Sequence, residues 1–213
     1  MKLVLIGAGG HSKVIRDVAH NAEHTIVACL DDRYKDLYFT SGMYFGPIAA
    51  VQAVLLVHPD AKLVIAIGDN GMRKTIMQKL MLPSSSYATI VHQKAVISPS
   101  AKIGHGTVIM PGAVINADAV VGEHTIINTR VVIEHDNVVE DFAHISPGAV
   151  LAGGVCIKQG VHIGANATVL PNVLVGEWTT IGAGAVVVTN MPSYVIAVGV
   201  PATVIKTKMV GGI

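Results

Sequence analysis

From Ala95 to Asn190 the apolar positions of this chain fall on a period of six. Written in blocks of six (AVISPS, AKIGHG, TVIMPG, AVINAD and onward to TTIGAG and AVVVTN), the third residue is aliphatic in every block, from Ile97 and Ile103 to Ile181 and Val187, sixteen in succession. A helical stripe needs a period near 3.6 and an amphipathic strand a period of two. Six fits neither as one continuous element. It fits short strands separated by turns, each strand sending one aliphatic side chain inward. Three such strands close a triangular coil of eighteen residues, and coils stack by parallel pairing at roughly 4.8 Å. Ala, Thr or Val dominates the first position of each block and suits a narrow interior. Gly or Asn is frequent at the fourth and suits corners with unusual backbone angles. Sixteen such side chains at roughly 1.5–3 kcal/mol each supply tens of kcal/mol of gross burial energy, before chain entropy is subtracted.

The first eighty residues follow other rules. Lys2–Ile6 is a short apolar run that ends in Gly7-Ala8-Gly9-Gly10-His11. The stretch from Ser12 to Ala19 has helical spacing, with Val14, Ile15 and Val18 expected on one face. Thr25 to Leu30 reads as a second strand ending in Asp31-Asp32, Leu63 to Ile67 as a third ending in Gly68-Asp69-Asn70, and Met72 to Leu82 as a helix stopped by Pro83. This is a Rossmann-like βαβ pattern of the α/β class. The expected division is a domain at 1–90 and a parallel β-helix with a tail at 91–213. The glycine turn would aim backbone N–H groups at an anion, and Asp31 and Asp32 stand where ribose hydroxyls are often held. Ser12 occupies the third glycine place of G-x-G-x-x-G, and there is room for only one mononucleotide half, so a UDP-linked ligand is easier to seat than NAD.

Composition narrows the function. A net charge of +1 over 213 residues offers no broad basic surface for nucleic acid. Two distant cysteines, Cys29 and Cys156, argue against a disulfide framework or a four-thiolate metal site and fit a reducing, cytoplasmic setting. No apolar run approaches a membrane span, and the N-terminal hydrophobic run reads as a buried strand rather than a signal peptide. Only 4% of the residues are Phe, Trp or Tyr, which agrees with an interior built from Val, Ile and Ala.

Five of the ten histidines lie in the repeats: His105, His124, His135, His144 and His162. His144 and His162 are eighteen apart and should stack in adjacent coils. His135 stands one and a half triangle sides before His144, so two packed subunits are expected to bring these two together. Asp136 follows His135 and can orient an imidazole that accepts a proton, provided the pair sits at a corner. Cys156, second in a V-C-I-K block, reads as a packing residue rather than a nucleophile.

Taken with the segments GAGGH (7–11), LDD (30–32), IAIGDN (65–70), INTRVVIEHD (127–136), AHISPGAVLAGGV (143–155) and VGVPA (198–202), the chain resembles the hexapeptide-repeat sugar acetyltransferases of the sialic acid O-acetyltransferase (NeuD-type) family. It is most similar there to the UDP-4-amino-sugar N-acetyltransferases (PglD-like). The resemblance implies a left-handed β-helix, although the general crossover rule favours the right hand. It also implies a homotrimer with sites between subunits, acetyl-CoA as co-substrate with no metal, and a UDP-amino sugar as acceptor. On the same basis His135 is the general base and Asp136 the residue that raises its basicity. His144, Ala165 and Ala183 would contact acetyl-CoA, while Gly9, Gly10, His11, Asp31, Asp32, Ile67 and Gly68 would line the sugar-nucleotide site. The implied transfer is direct, with backbone N–H groups or His144 stabilising the oxyanion. O-acetylation of sialic acid or another glycan sugar, a zinc-dependent carbonic anhydrase and a non-catalytic nucleotide-sugar-binding scaffold are the competing readings. This chain has no H-x-x-x-x-H pair, and an anhydrase would leave the N-terminal domain unexplained, while the scaffold leaves His135-Asp136 without a purpose.

Overall fold

The computed structural model describes residues 1–208. The N-terminal unit is a five-stranded sheet in the order β3-β4-β2-β1-β5. Its strands are β1 (Lys2–Ile6), β2 (Thr25–Leu30), β3 (Tyr38–Thr40), β4 (Met43–Gly46) and β5 (Lys62–Ile65), and all neighbours are parallel except β3 with β4. Helix α1 (Gly10–Asn21) links β1 to β2, α2 (Val51–Val57) precedes β5, and α3 (Asn70–Leu80) follows it.

Helix α1 starts earlier than its apolar spacing suggests and buries a different set. Ser12, Ile15, Val18 and Ala19 are covered, whereas Val14 is exposed. Residues 12, 15 and 19 lie three and four apart and so share a face, while position 14 points about 100° away from 15. The β3–β4 hairpin and α2 were not expected from the sequence. Their apolar positions are too few to show a period.

From Ile90 the chain winds into a left-handed parallel β-helix. Strand β6 (Ile90–Val91) already pairs with Val108–Ile109, so the expected division at 90 falls within the first strand of the helix. Two-residue strands from Val96–Ile97 to Val186–Val187 follow at intervals of six. They pair at intervals of eighteen, as in Val108, Ile126, His144, His162 and Thr180, and build three sheets of six, five and eight strands. Strands Val195–Val198 and Thr203–Thr207 close the eight-stranded face as an antiparallel pair. Ile109, Ile127, Ile145 and Ile163 are fully buried on the axis, as the period predicts. Ile97 and Ile103 are only partly covered because they line the open first coil. Among the described residues no helix is long and apolar enough to cross a membrane.

The corner chemistry differs from expectation in position. Left-handed φ values occur at the sixth residue of the blocks, for example Gly106, Asp118, Asp136, Gly148, Gly154, Asn166 and Asn172. Fourth-position glycines serve close approach instead. A Cβ on Gly104 would lie 2.6 Å from the Gly122 carbonyl carbon, and one on Gly176 would lie 2.5 Å from Ser193 N.

Candidate active site

His135 and Asp136 form a corner between strand Val132–Ile133 on one face and Val138–Val139 on the next. In an extended strand neighbouring side chains point apart. Asp136, with φ of 60°, breaks that alternation. Its Oδ2 lies 2.8 Å from His135 Nδ1, and both side chains are largely exposed. The hydrogen bond to Asp136 raises the His135 pKa above the ordinary histidine value, and the negative charges of Asp136 and Glu134 add to this. The rest of the ring lies against the next coil, where a Cβ built on Gly153 would be 2.7 Å from both Cε1 and Nε2. Only glycine leaves room for the imidazole in this position.

His144 and His162 lie on the eight-stranded face, one above the other, with ring centroids 4.9 Å apart and planes within 2°. The N-terminal unit docks beside them through the segment that follows β5. Arg73 is 1% exposed and spends its guanidinium on backbone carbonyls. Its Nε donates to His124 O at 3.0 Å, Nη2 to Phe142 O at 2.8 Å and Ala143 O at 3.2 Å, and Nη1 to Gly68 O at 2.9 Å and Ile67 O at 3.2 Å. Asn70 Nδ2 donates to Gly160 O and Val161 O one coil further on. Asn128 Nδ2 donates to His144 Nε2 at 3.1 Å, while Asn128 Oδ1 accepts from Thr129 N. His144 thus accepts at Nε2, and its other nitrogen carries the proton toward the Gly68 backbone. Ser146 Oγ pairs with His162 Nε2 at 2.8 Å in the same way one coil later. His11, from the first turn of α1, completes the cluster with its ring 6.5 Å from that of His144.

These histidines are held neutral. Burial, with smaller contributions from His162, Arg73 and His11, pushes His144 down to about 3. Burial and Arg73 push His11 down to about 4 and, with His105, His124 to about 4. Folded values below the unfolded value of about 6.5 mean that the unfolded chain binds more protons between those limits. Their contribution to stability is complete above about pH 6.5 and is lost as the pH falls toward 4. His135 has the opposite sign, but its exposure screens the effect. The urea midpoint is therefore expected to drop between pH 7 and pH 4.5. His124→Asn should flatten that slope, and an unchanged slope would show that His124 does not titrate on unfolding.

The other expected site residues are distributed as follows. Gly9 is the N-cap of α1 with φ of −80°, and a Cβ at Gly9 or Gly10 would meet nothing within 4 Å. Neither glycine is demanded by the fold, so their bareness leaves open space at the helix N-terminus. Asp31 is partly committed to the fold: Oδ2 accepts from Ala8 N at 2.7 Å, fixing the glycine turn, and Oδ1 accepts from Arg33. Asp32 Oδ1 accepts from Ile48 N at 3.0 Å. Ile67 packs over Gly7, and Gly68 lies beside His144. Ala165 and Ala183 sit at equivalent turns of successive coils, directly after the strands that carry His162 and Thr180. The structure thus joins Gly68, His11 and His144 and leaves His135 on a different corner of the same chain. Arg73 and Asn128 were missed. Asn128 was legible, because a fourth-position residue meets the second-position residue sixteen further on, as 128 meets 144 and 146 meets 162. Arg73 carried no such signal.

A mononucleotide-sized α/β unit fused to a triangular β-helix, with an exposed His–Asp corner, is the architecture of a hexapeptide-repeat protein with a PglD-type N-terminal domain, and the transferase class rests on the family matches. Residues 2–80 match the PglD N-terminal domain, and residues 100–135 and 157–189 match the bacterial transferase hexapeptide (six repeats). Perosamine N-acetyltransferase from Caulobacter crescentus, solved with CoA and GDP-perosamine, is 34% identical with a TM-score of 0.87 over 96% of each chain. The acetyltransferase domain of PglB from Neisseria gonorrhoeae, solved with acetyl coenzyme A, is 33% identical with a TM-score of 0.86 over 96% of this chain and 98% of that one. UDP-N-acetylbacillosamine N-acetyltransferase of Bacillus subtilis (strain 168) is 42% identical over 105 residues, 49% of each chain, so the match spans about half the length of this curated relative. The chain belongs to the hexapeptide-repeat sugar acetyltransferase family with a PglD-type N-terminal domain.

Proposed function

We propose that this chain transfers an acetyl group from acetyl-CoA to the 4-amino group of a UDP-linked sugar, with His135 as general base. The observation that carries the reading is the exposed His135 ring, bonded through Nδ1 to Asp136 and directed past Gly153 by its other edge. In the transfer the sugar nitrogen forms a bond to the thioester carbonyl carbon while His135 Nε2 takes the proton of the amine. The tetrahedral intermediate collapses, the carbon–sulfur bond breaks, and the departing sulfur receives the proton. His144 is a poor oxyanion donor, since its Nε2 accepts from Asn128 and burial keeps the ring neutral. Backbone N–H groups are the better candidates. The open turn at Gly9 and Gly10 supports a nucleotide diphosphate at the α1 N-terminus. Relatives named for UDP-linked and GDP-linked sugars support the substrate class.

The decisive assay is CoA thiol release against a panel of UDP- and GDP-amino sugars and sialic acids. Turnover with the UDP-4-amino sugar is expected to exceed that with the others, and a preference for a hydroxyl acceptor would reject the N-acetyl reading. Acetyl-CoA is placed along the turns of Ala165 and Ala183, next to His144. Replacing both alanines by tryptophan is expected to raise the KM for acetyl-CoA at least about tenfold, the equivalent of about 1.4 kcal/mol of lost binding. An unchanged KM would remove the donor from this groove.

The active assembly is proposed to be a homotrimer in the cytoplasm. Two faces of the β-helix present outward apolar rows, including Val114, Val132 and Val150 on one and Val120, Val138 and Leu174 on the other. Such rows call for cover. Partner subunits packed there would also complete a site that one chain divides between the His135 corner and the His144 face. Light scattering that returns a fully active monomer would overturn the assembly.

A further inference from the structure

We infer that Asn137 is a positioning residue that fixes the His135 imidazole for proton transfer, an inference that rests on the assignment of His135 as base. Asn137 occupies the first position of its block, inside the β-helix, where the other fifteen blocks place Ala, Thr or Val. It is fully buried. Its Nδ2 donates to Glu134 O at 2.7 Å, Ala152 O at 2.9 Å and, more weakly, His135 O at 3.4 Å. One side chain therefore ties together two successive coils at the corner where His135 lies. The carbonyls of 134 and 135 belong to the turn that carries the imidazole. The carbonyl of 152 immediately precedes Gly153, the residue against which the ring rests. Asn137 Oδ1 is buried without a hydrogen-bond partner among the described residues. An unpaired acceptor in the core is costly, and an apolar residue would satisfy the packing without it.

Threonine at equivalent positions shows what the fold alone requires. Thr107 Oγ1 donates to Gly122 O, fifteen residues on, at 2.7 Å, and Thr125 Oγ1 contacts Glu140 O at the same separation and Glu123 O two residues back at 3.3 Å, the counterpart of the weak Asn137 bond to His135 O. The Asn137 bond to Ala152 O has that separation too. Its 2.7 Å bond to Glu134 O is the additional feature, and it acts on the turn of the base rather than on coil stacking. Asn137→Thr accordingly keeps the bond between coils and frees the Glu134 carbonyl, loosening the His135 turn.

The test is steady-state kinetics of Asn137→Thr in the wild-type and His135→Ala backgrounds, alongside thermal unfolding. In the wild-type background kcat is expected to fall about ten- to hundredfold, because small misplacements of a reacting group are that costly. Both KM values and the unfolding midpoint should stay near wild type. In the His135→Ala background the same substitution should leave the residual rate unchanged. An undiminished kcat beside a crippled His135→Ala enzyme would overturn the inference alone, as would an equal fall in both backgrounds. A normal turnover of His135→Ala would overturn the base assignment and this inference with it. If Asn137→Thr does not fold, Asn137→Ser, with a smaller side chain and the same hydroxyl, carries the same comparison.

Discussion

His135→Ala is expected to lower kcat by about 10²–10⁴-fold, the usual contribution of a general base. The loss should appear in turnover rather than folding, because the ring is largely exposed and none of the axial aliphatics depends on it. The pH profile provides a second reading of the same group. The proposed base acts through a neutral imidazole, so the rate is expected to fall as the pH drops. Because Asp136 raises the His135 pKa, the midpoint should lie above the unperturbed value of about 6.5 rather than at it. Asp136→Asn keeps the shape and removes the charge, so it should move that midpoint downward and cost less in rate than the loss of His135. An intact His135→Ala protein with normal turnover would assign the proton to another group.

Arg73→Ala is expected to destabilise the protein by about 3–5 kcal/mol, since hydrogen bonds to charged groups are individually strong and the carbonyls left behind are buried. Five carbonyls, from Ile67, Gly68, His124, Phe142 and Ala143, lose the guanidinium at once, and of these Ala143 O keeps Ile126 N and Gly68 keeps His144. Two of those carbonyls lie in the segment that follows β5 and three lie in the β-helix, so the residue joins the two units. Arg73→Lys should recover only part of the loss, because an ammonium has three donors and lacks the planar fork. Chemical unfolding measures both variants, and a loss below about 1 kcal/mol for alanine would mean that water replaces the guanidinium. Donor binding should weaken in parallel, since Phe142 and Ala143 immediately precede His144.

Much of the architecture follows from spacing alone. A strict period of six with one aliphatic per block leaves few folds available, because every coil must bury the same position against its neighbours. The same arithmetic stacks His144 on His162 and places His135 around the corner from them. The strand–glycine turn–helix opening of the N-terminal unit is similarly local. Three features depended on the tertiary structure. The pairing of His135 with Asp136 required a left-handed residue at the corner, and φ is set by the closure of the coil rather than by the dipeptide. The role of Arg73 required two units to meet, since its partners lie up to seventy residues away and its codeless position in α3 looks like any surface cation. The glycines were visible as letters, but their reasons were not. Gly153 makes room for an imidazole from the preceding coil, and Gly104 for a neighbouring backbone, whereas Gly9 and Gly10 face open space. Periodicity records what each coil repeats, and so it fixes the core. A site is built where the repeat is broken and distant segments converge, and that convergence is decided only when the whole chain is folded.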